Sequence, residues 1–166
     1  VLFRSLAELD ATVRSEIPAK MLFTPDDLRG SAKTLPAAIR KHGWPTLAEA
    51  RGKVLFLMDN EGSVRSLYLK GHENLAGRAL FTSSKPGEPS AAFVKANDPT
   101  GLNGQRIAQL VRDGFVVRTR ADADTKEART GDTTTRDAAL ASGAQDRKST
   151  RLNSSHVSES RMPSSA

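Results

Sequence analysis

The sequence predicts an α/β fold built on a parallel sheet. Three short segments carry continuous apolar runs closed by polar residues: "KVLFLMDN" at 53–60, "RALFTSS" at 78–84 and "GFVVRTR" at 114–120. A strand apolar on both faces suits a sheet covered on both sides, as parallel sheets are. Segments 63–70 and 106–113 lie between them with helical spacing of apolar residues. Strands alternating with helices argue for βαβ units.

Each element has its own signals. Leu6, Leu9, Val13 and Ile17 recur three and four apart, which predicts an amphipathic helix over 6–17, stopped by Pro18. Residues 21–23 form a short apolar run. Thr24-Pro25-Asp26-Asp27 is a helix start, with threonine as N-cap, proline in the first turn and acids at the positive end of the helix dipole. "TLPAAIRKHG" repeats that start before Pro36 and stops at Gly43, and Thr46 caps another short helix in "WPTLAEARG". A last helix is predicted over 133–140, begun by threonines and ended by Gly143.

The ends read differently. Residues 1–5 back-translate as GTG CTC TTC CGA TCT, and residues 146–150 as GAT CGG AAG AGC AC, the same DNA on the opposite strand. The tail "DRKSTRLNSSHVSESRMPSSA" also resembles the translation of a sequencing-library adapter. Residues 1–5 and 146–166 are therefore set aside as an adapter-like scar and an adapter-like disordered tail, the alternative being a genuine Ser-rich basic arm. Without Arg4, Arg147, Lys148, Arg151, Arg161 and the acids Asp146 and Glu159, 20 basic and 17 acidic residues remain. The resulting +3 does not argue for a nucleic-acid face. The absence of cysteine excludes disulfides and thiolate metal sites. No apolar run has the length of a membrane span.

Polar clusters close the strands: Asp59-Asn60, Thr82-Ser83-Ser84, and Arg118 to Asp124. In parallel α/β folds, sites gather at the carboxyl ends of strands. For the serines, ordinary loop chemistry is the simpler account. The arginines are different. Arg118 and Arg120 fall on one face of a strand and repel each other unless an anion compensates them. Asp122 and Asp124 would make a structural ion network; a phosphorylated ligand would make a site. The pattern leaves both open. No GxGxxG or Walker loop occurs, and His42 and His72 stand alone in a helix end and a turn. Trp44 and Tyr68 read as packing residues. "NDPTGLNG" at 97–104 reads as a loop whose Asp98 and Asn103 lack the spacing of a calcium loop.

The succession "FTPDDLRG", "GWPTLAEARGKVLFLMDN", "LAGRALFTSS", "AAFVKANDP" and "VRTRADADTKEARTGDTTTRDAALASGAQ" resembles the C-terminal half of the calcium-dependent phosphoinositide-specific phospholipase C family, in its bacterial-type branch. The resemblance covers residues 6–145. It implies a partial TIM-type (β/α) barrel of the PLC-like phosphodiesterase kind, second half only. Residues 53–59, 78–83 and 115–120 would be consecutive strands, and the last strand, due to begin near Gln145, would be missing, replaced by the tail. It implies cleavage of the phosphodiester of inositol phospholipids to diacylglycerol and inositol phosphate, with calcium as cofactor. The family's catalytic histidines and calcium ligands match no position here, so neither catalytic nor metal residues are carried over, and the fragment itself is expected to be inactive.

What the resemblance leaves to this chain is the headgroup-facing wall. The substrate-binding candidates are Arg118 and Arg120, then Asp59, Thr82 and Asp122 as strand-end residues. The expected partners are a phosphoinositide or related headgroup and, transiently, a membrane surface, with no nucleic acid. The parent is expected to be secreted or periplasmic. Two alternatives are a glycerophosphodiester phosphodiesterase-like hydrolase and a non-catalytic phosphate- or headgroup-binding domain.

Overall fold

The computed structural model describes residues 6–123 and 125–149. The adapter-like start, Asp124 and residues 150–166 lie outside the described residues. Helix α1 (Leu6–Glu16) leads through a 3-10 turn at Ala19–Met21 to α2 (Pro25–Arg29), α3 (Leu35–His42) and α4 (Leu47–Ala50). Then come β1 (Phe56–Met58), α5 (Gly62–Leu69), β2 (Leu80–Thr82), β3 (Phe93–Lys95), α6 (Gly101–Arg112), β4 (Val116–Arg120), α7 (Lys126–Thr130), α8 (Thr134–Ala141) and β5 (Asp146–Lys148).

The caps of α3 and α4 act as their sequences predict, while Thr133 before α8 makes no side-chain capping hydrogen bond. Thr46 and Glu49 form a capping box, the Thr46 N–H donating to Glu49 Oε2 at 2.8 Å. Thr34 Oγ1 accepts from the Ala37 N–H at the start of α3, and Gly43 ends that helix at φ 72°. Helix α6 starts before the predicted residue 106. Asp98 accepts the Thr100 N–H at 2.9 Å and the Asn103 amide at 2.9 Å, so residues 101–104 of "NDPTGLNG" form the first turn of the helix while residues 97–100 remain a loop that leads into it.

Every strand pairing is parallel. Phe56 faces Leu80 between β1 and β2, Lys95 faces Arg118 between β3 and β4, and Arg118 faces Asp146 between β4 and β5. Single parallel bridges, Leu22 with Val54 and Ser83 with Phe93, extend the order on both sides of the β1–β2 pair. The strands therefore succeed one another in chain order, all pointing the same way, and among the described residues no barrel closes.

Two expectations are corrected. Residues 78–83 and 115–120 are not consecutive strands, because β3 lies between them. Its ladder is three residues long, and Ala91 and Ala92, which have low strand propensity, precede it; Phe93 and Val94 favour a strand, but the run is short and pairing to both neighbours secures it. The last strand is not missing either. Asp146–Lys148 occupies the edge beside β4, although its residues belong to the adapter-like tail. Parallel ladders use backbone groups, so β4 templates a strand of polar residues as readily as an apolar one. Gln145 prepares the register by accepting the Val117 N–H on its Oε1 at 2.9 Å, and Ala121 N–H donates to Lys148 O at 2.8 Å.

The core lies between the strands and helices α2, α3 and α6, and includes Leu35, Ile39, Phe81, Phe93, Ile107 and Val117. Trp44 packs on Phe81 with ring centroids 5.6 Å apart and donates its Nε1–H to Gly114 O at 2.8 Å. Gly114 needs to be glycine for two reasons: its φ is +88°, and a Cβ there would come within 2.6 Å of Ile39 Cγ2. Beside this core is a buried polar knot. Asp10 of α1 accepts from the Tyr68 hydroxyl of α5, from Arg78 Nη1 at 2.9 Å and from the Ala79 N–H at 2.9 Å. Arg78 also donates its Nε–H to Tyr68 O, and the Tyr68 hydroxyl accepts the Leu80 N–H at 3.0 Å. Burial, then the Asp10 carboxylate, hold the Tyr68 phenol well above its usual range.

Two outcomes follow. Gly114→Ala lowers stability by about 1–3 kcal/mol in denaturant melts, because strained backbone and overpacking coincide. Tyr68→Phe leaves an Asp10 oxygen and the Leu80 N–H short of a partner and costs about 1–3 kcal/mol at neutral pH. Because the folded-state phenol titrates above its unfolded value, its contribution is whole below about pH 10 and is lost as pH rises through the folded value. The gap between wild type and Tyr68→Phe therefore narrows in melts taken above about pH 10.

Candidate functional site

Parallel pairing in chain order brings the carboxyl ends of β1 to β5 to one side, and the charged residues collect there. Asp59 follows β1, Lys95 ends β3, and Arg118 and Arg120 lie on β4. Arg118 Nη1 forms an ion pair with Asp59 Oδ1. The same oxygen lies 3.2 Å from Lys95 Nζ, which also reaches Glu61 Oε1 at 2.9 Å and donates to Asp59 O at 3.1 Å. Asp146 Oδ2 stands 3.8 Å from Arg118 Nε. One carboxylate thus bridges cations from two neighbouring strands.

The cations are recessed and the acids are not. Side-chain exposure is 10% for Arg118 and 16% for Lys95, against 57% for Asp59 and 64% for Glu61. Partial burial disfavours the ionised Asp59, but the hydrogen bonds and charges of Arg118 and Lys95 outweigh it and hold its carboxyl below the usual range. Burial works against the Lys95 ammonium too, and Glu61 and Asp59 overcome it, raising Lys95 above its ordinary value. Arg120 is half-buried, shares the Arg118 face of β4 by alternation, and makes no ion pair among the described residues. A cleft of about 230 Å³ opens beside Lys95, lined also by Asn97, Asp98 and Arg106.

The other sequence-predicted residues sit elsewhere. Thr82 is fully buried, its hydroxyl 3.0 Å from that of Ser84, which continues to Ser90 at 2.9 Å. Ser83 Oγ accepts the Lys95 N–H at 3.3 Å, so this serine pair stitches β2 to β3. Asp122 is buried and accepts from Ser149 Oγ at 2.8 Å. The structure thus brings together Asp59 and Arg118 and adds Lys95 and Glu61, while Arg120 lies two residues further along β4 without joining the ion pairs. The signal for Lys95 was in the sequence: it closes "AAFV" as Asp59 closes "VLFLM".

Among the described residues no group of three or more His, Asp or Glu side chains is placed to hold a metal ion. Asp59 and Glu61 are taken by cations. These residues do not fit a calcium site, and no reaction step through calcium is derived from them. No described helix is long and apolar enough to cross a membrane. Chemically, the arrangement offers hydrogen-bond donors and positive charge to an oxyanion.

The Asp59 bridge has a defined pH window. Its folded-state carboxyl titrates below the unfolded value, so the bridge is intact above about pH 4 and lost as pH falls through the folded value. Nuclear magnetic resonance of the Arg118 Nη1 guanidinium signal is expected to shift on acid titration as Asp59 takes up its proton, and Asp59→Asn to remove that part of the response, with Glu61 at Lys95 and Asp146 at Arg118 Nε left in place.

Comparison with known proteins bears on fold and family. None of the curated proteins matches the chain. A solved structure, a Ca2+-dependent phosphatidylinositol-specific phospholipase C from Streptomyces antibioticus, superposes with a TM-score of 0.58 at 22% identity. The match covers 70% of this chain and 47% of that one, so the chain spans about half the neighbour's length, and at this identity the likeness speaks to the fold. The sequence model of the Ca2+-dependent phosphoinositide phospholipase C family matches residues 3–155. With nearly the whole chain inside that match, the protein belongs to the Ca2+-dependent phosphoinositide phospholipase C family.

Proposed function

We propose that this chain forms the headgroup-facing wall of a phosphoinositide phospholipase C, as the second half of a TIM-type barrel. The observation that carries the reading is the convergence of Lys95 and Arg118 on Asp59 at the carboxyl ends of neighbouring parallel strands, with Arg120 two residues further along β4. The reaction is cleavage of the phosphodiester of an inositol phospholipid to diacylglycerol and an inositol phosphate. Family membership favours this chemistry over a glycerophosphodiester phosphodiesterase.

The chain's own residues bind and orient. A guanidinium presents paired donors that suit two oxygens of a phosphate, and a recessed ammonium adds a point charge. Held in a partly dry wall, such donors favour the charge that builds on the phosphoryl oxygens as the bond to the glycerol oxygen breaks. Asp122 and Thr82 support the wall from behind: one fixes the segment after β4 to β5 through Ser149, the other links β2 to the turn before β3. The hydroxyl-activating bases and the calcium ligands come from the remainder of the enzyme, and the chain by itself does not turn over. The setting is a membrane surface met transiently from outside the cytoplasm, an assignment that rests on the family.

The test is a splice. Residues 6–145 replace the matched segment of the Streptomyces antibioticus enzyme, and headgroup release from phosphatidylinositol vesicles is measured with and without calcium. Release is expected only with calcium. Arg118→Met is expected to lower kcat by about 100-fold and Arg120→Ala by about 10-fold. Unchanged kcat and KM in both variants overturn the reading.

A further inference from the structure

The acids that neutralise the recessed cations lie on one short segment. Asp59 leaves β1 and Glu61 precedes the first residue of α5, with only Asn60 between them. Both carboxylates are more than half exposed, while the cations they engage are nearly covered. Segment 59–61 therefore lies over Lys95 and Arg118 on the solvent side. Carboxylate oxygens already occupy the positions where an external oxyanion would meet the ammonium and the guanidinium: 2.9 and 3.2 Å from Lys95 Nζ, and paired to Arg118 Nη1. Glu61 spends no side-chain hydrogen bond on capping α5, so nothing in that helix ties it down.

We propose that Asp59, assisted by Glu61, is an internal competitor for the anionic ligand of this site. The inference rests on reading the cluster as a headgroup wall, and it reverses the role expected for Asp59, from ligand contact to ligand stand-in. A phosphate ester enters by displacing the carboxylates, and segment 59–61 swings outward with them. Exposed acids are the ones that can be displaced: solvent takes over their solvation, and an exposed ion pair is weak. The recessed cations cannot recover water so easily, so they need a replacement anion. Displacing both acids favours a ligand that carries two negative charges, which points to a phosphomonoester dianion, such as the released inositol phosphate, ahead of the singly charged phosphodiester. Asp146, at 3.8 Å from Arg118 Nε, is too distant to replace Asp59, and Arg120 adds positive charge on the same strand face.

The experiment titrates the full 166-residue chain with inorganic phosphate near pH 7.5, at constant ionic strength held with chloride. The Lys95 and Arg118 side-chain resonances report occupancy. Asp59→Asn, which keeps an acceptor for Arg118, is expected to tighten phosphate by about three- to ten-fold, and Glu61→Gln by about two-fold. Glu73→Gln removes the same charge from an exposed position in the α5–β2 connection, at the opposite end of the strands, and is expected to leave affinity unchanged. The inference is overturned if Asp59→Asn weakens phosphate binding or leaves it as it was, since Asp59 then only orients the cations. Equal tightening by Glu73→Gln overturns it as a bulk charge effect, and so does the absence of any phosphate response at Lys95 and Arg118. Turnover of the spliced enzyme tests the headgroup reading separately, so a kcat insensitive to Arg118→Met alongside a phosphate response sinks that reading and spares this one.

Discussion

Parallel pairing of strands in chain order is the constraint on which this molecule depends. A parallel pair cannot be joined by a hairpin, so each connection must travel back across the sheet before the next strand begins. The carboxyl ends then accumulate on one side. That is how Asp59 meets a guanidinium 59 positions later and a lysine 36 positions later. Register completes the arrangement: Lys95 stands directly opposite Arg118, so two positive charges sit on adjacent strands at one level. Neighbouring cations of this kind need an acid between them, and the exit of β1 delivers one.

Much of this was readable in the chain. The apolar runs at 53–60, 78–84 and 114–120 became β1, β2 and β4, and threonine starts and glycine stops marked α3 and α8 closely. The two strands that escaped are β3, whose strand formers Phe93 and Val94 make a run too short to stand out behind two alanines, and β5, whose residues are all charged; pairing to their neighbours completes both. The arginine pair shows the same limit. Carboxylates two and four residues beyond Arg120 suggested a local ion network. Yet Arg118 pairs with an acid far away in sequence, and Asp122 turns instead to Ser149. Local order in a chain does not reveal which strand will lie beside which, and ion pairs across a sheet follow the strands. Tyr68 read as a packing residue and does pack, yet its hydroxyl serves Asp10, a partner that helical spacing alone could not name.

The site that results is poised but not idle. Its strongest donors sit low in the wall, and its acids face solvent. Such a layering keeps positive charge from lying bare and, on the function proposed above, reserves it for an anionic ligand able to compete. The serine linkage between β2 and β3, with Arg65 reaching Ser84 Oγ at 3.0 Å, holds the floor of the wall independently of those charges. Shape and charge are thereby maintained by different interactions.

The knot around Asp10 carries a consequence of another kind, in time. Asp10 lies 58 to 69 positions from its partners, and it and Arg78 are both buried. A contact that closes so long a loop cannot form early, because chain closure has to be met before the contact is gained. Helix α1 therefore docks late, after α5 and β2 have come together and placed Tyr68 and Arg78 side by side. In the folded chain Arg78 also lies over the Tyr68 ring, 4.5 Å from its centroid. The first helix of the chain is then the last to be locked, and substitutions at Asp10 are expected to speed unfolding and leave the folding rate nearly untouched when both limbs are measured.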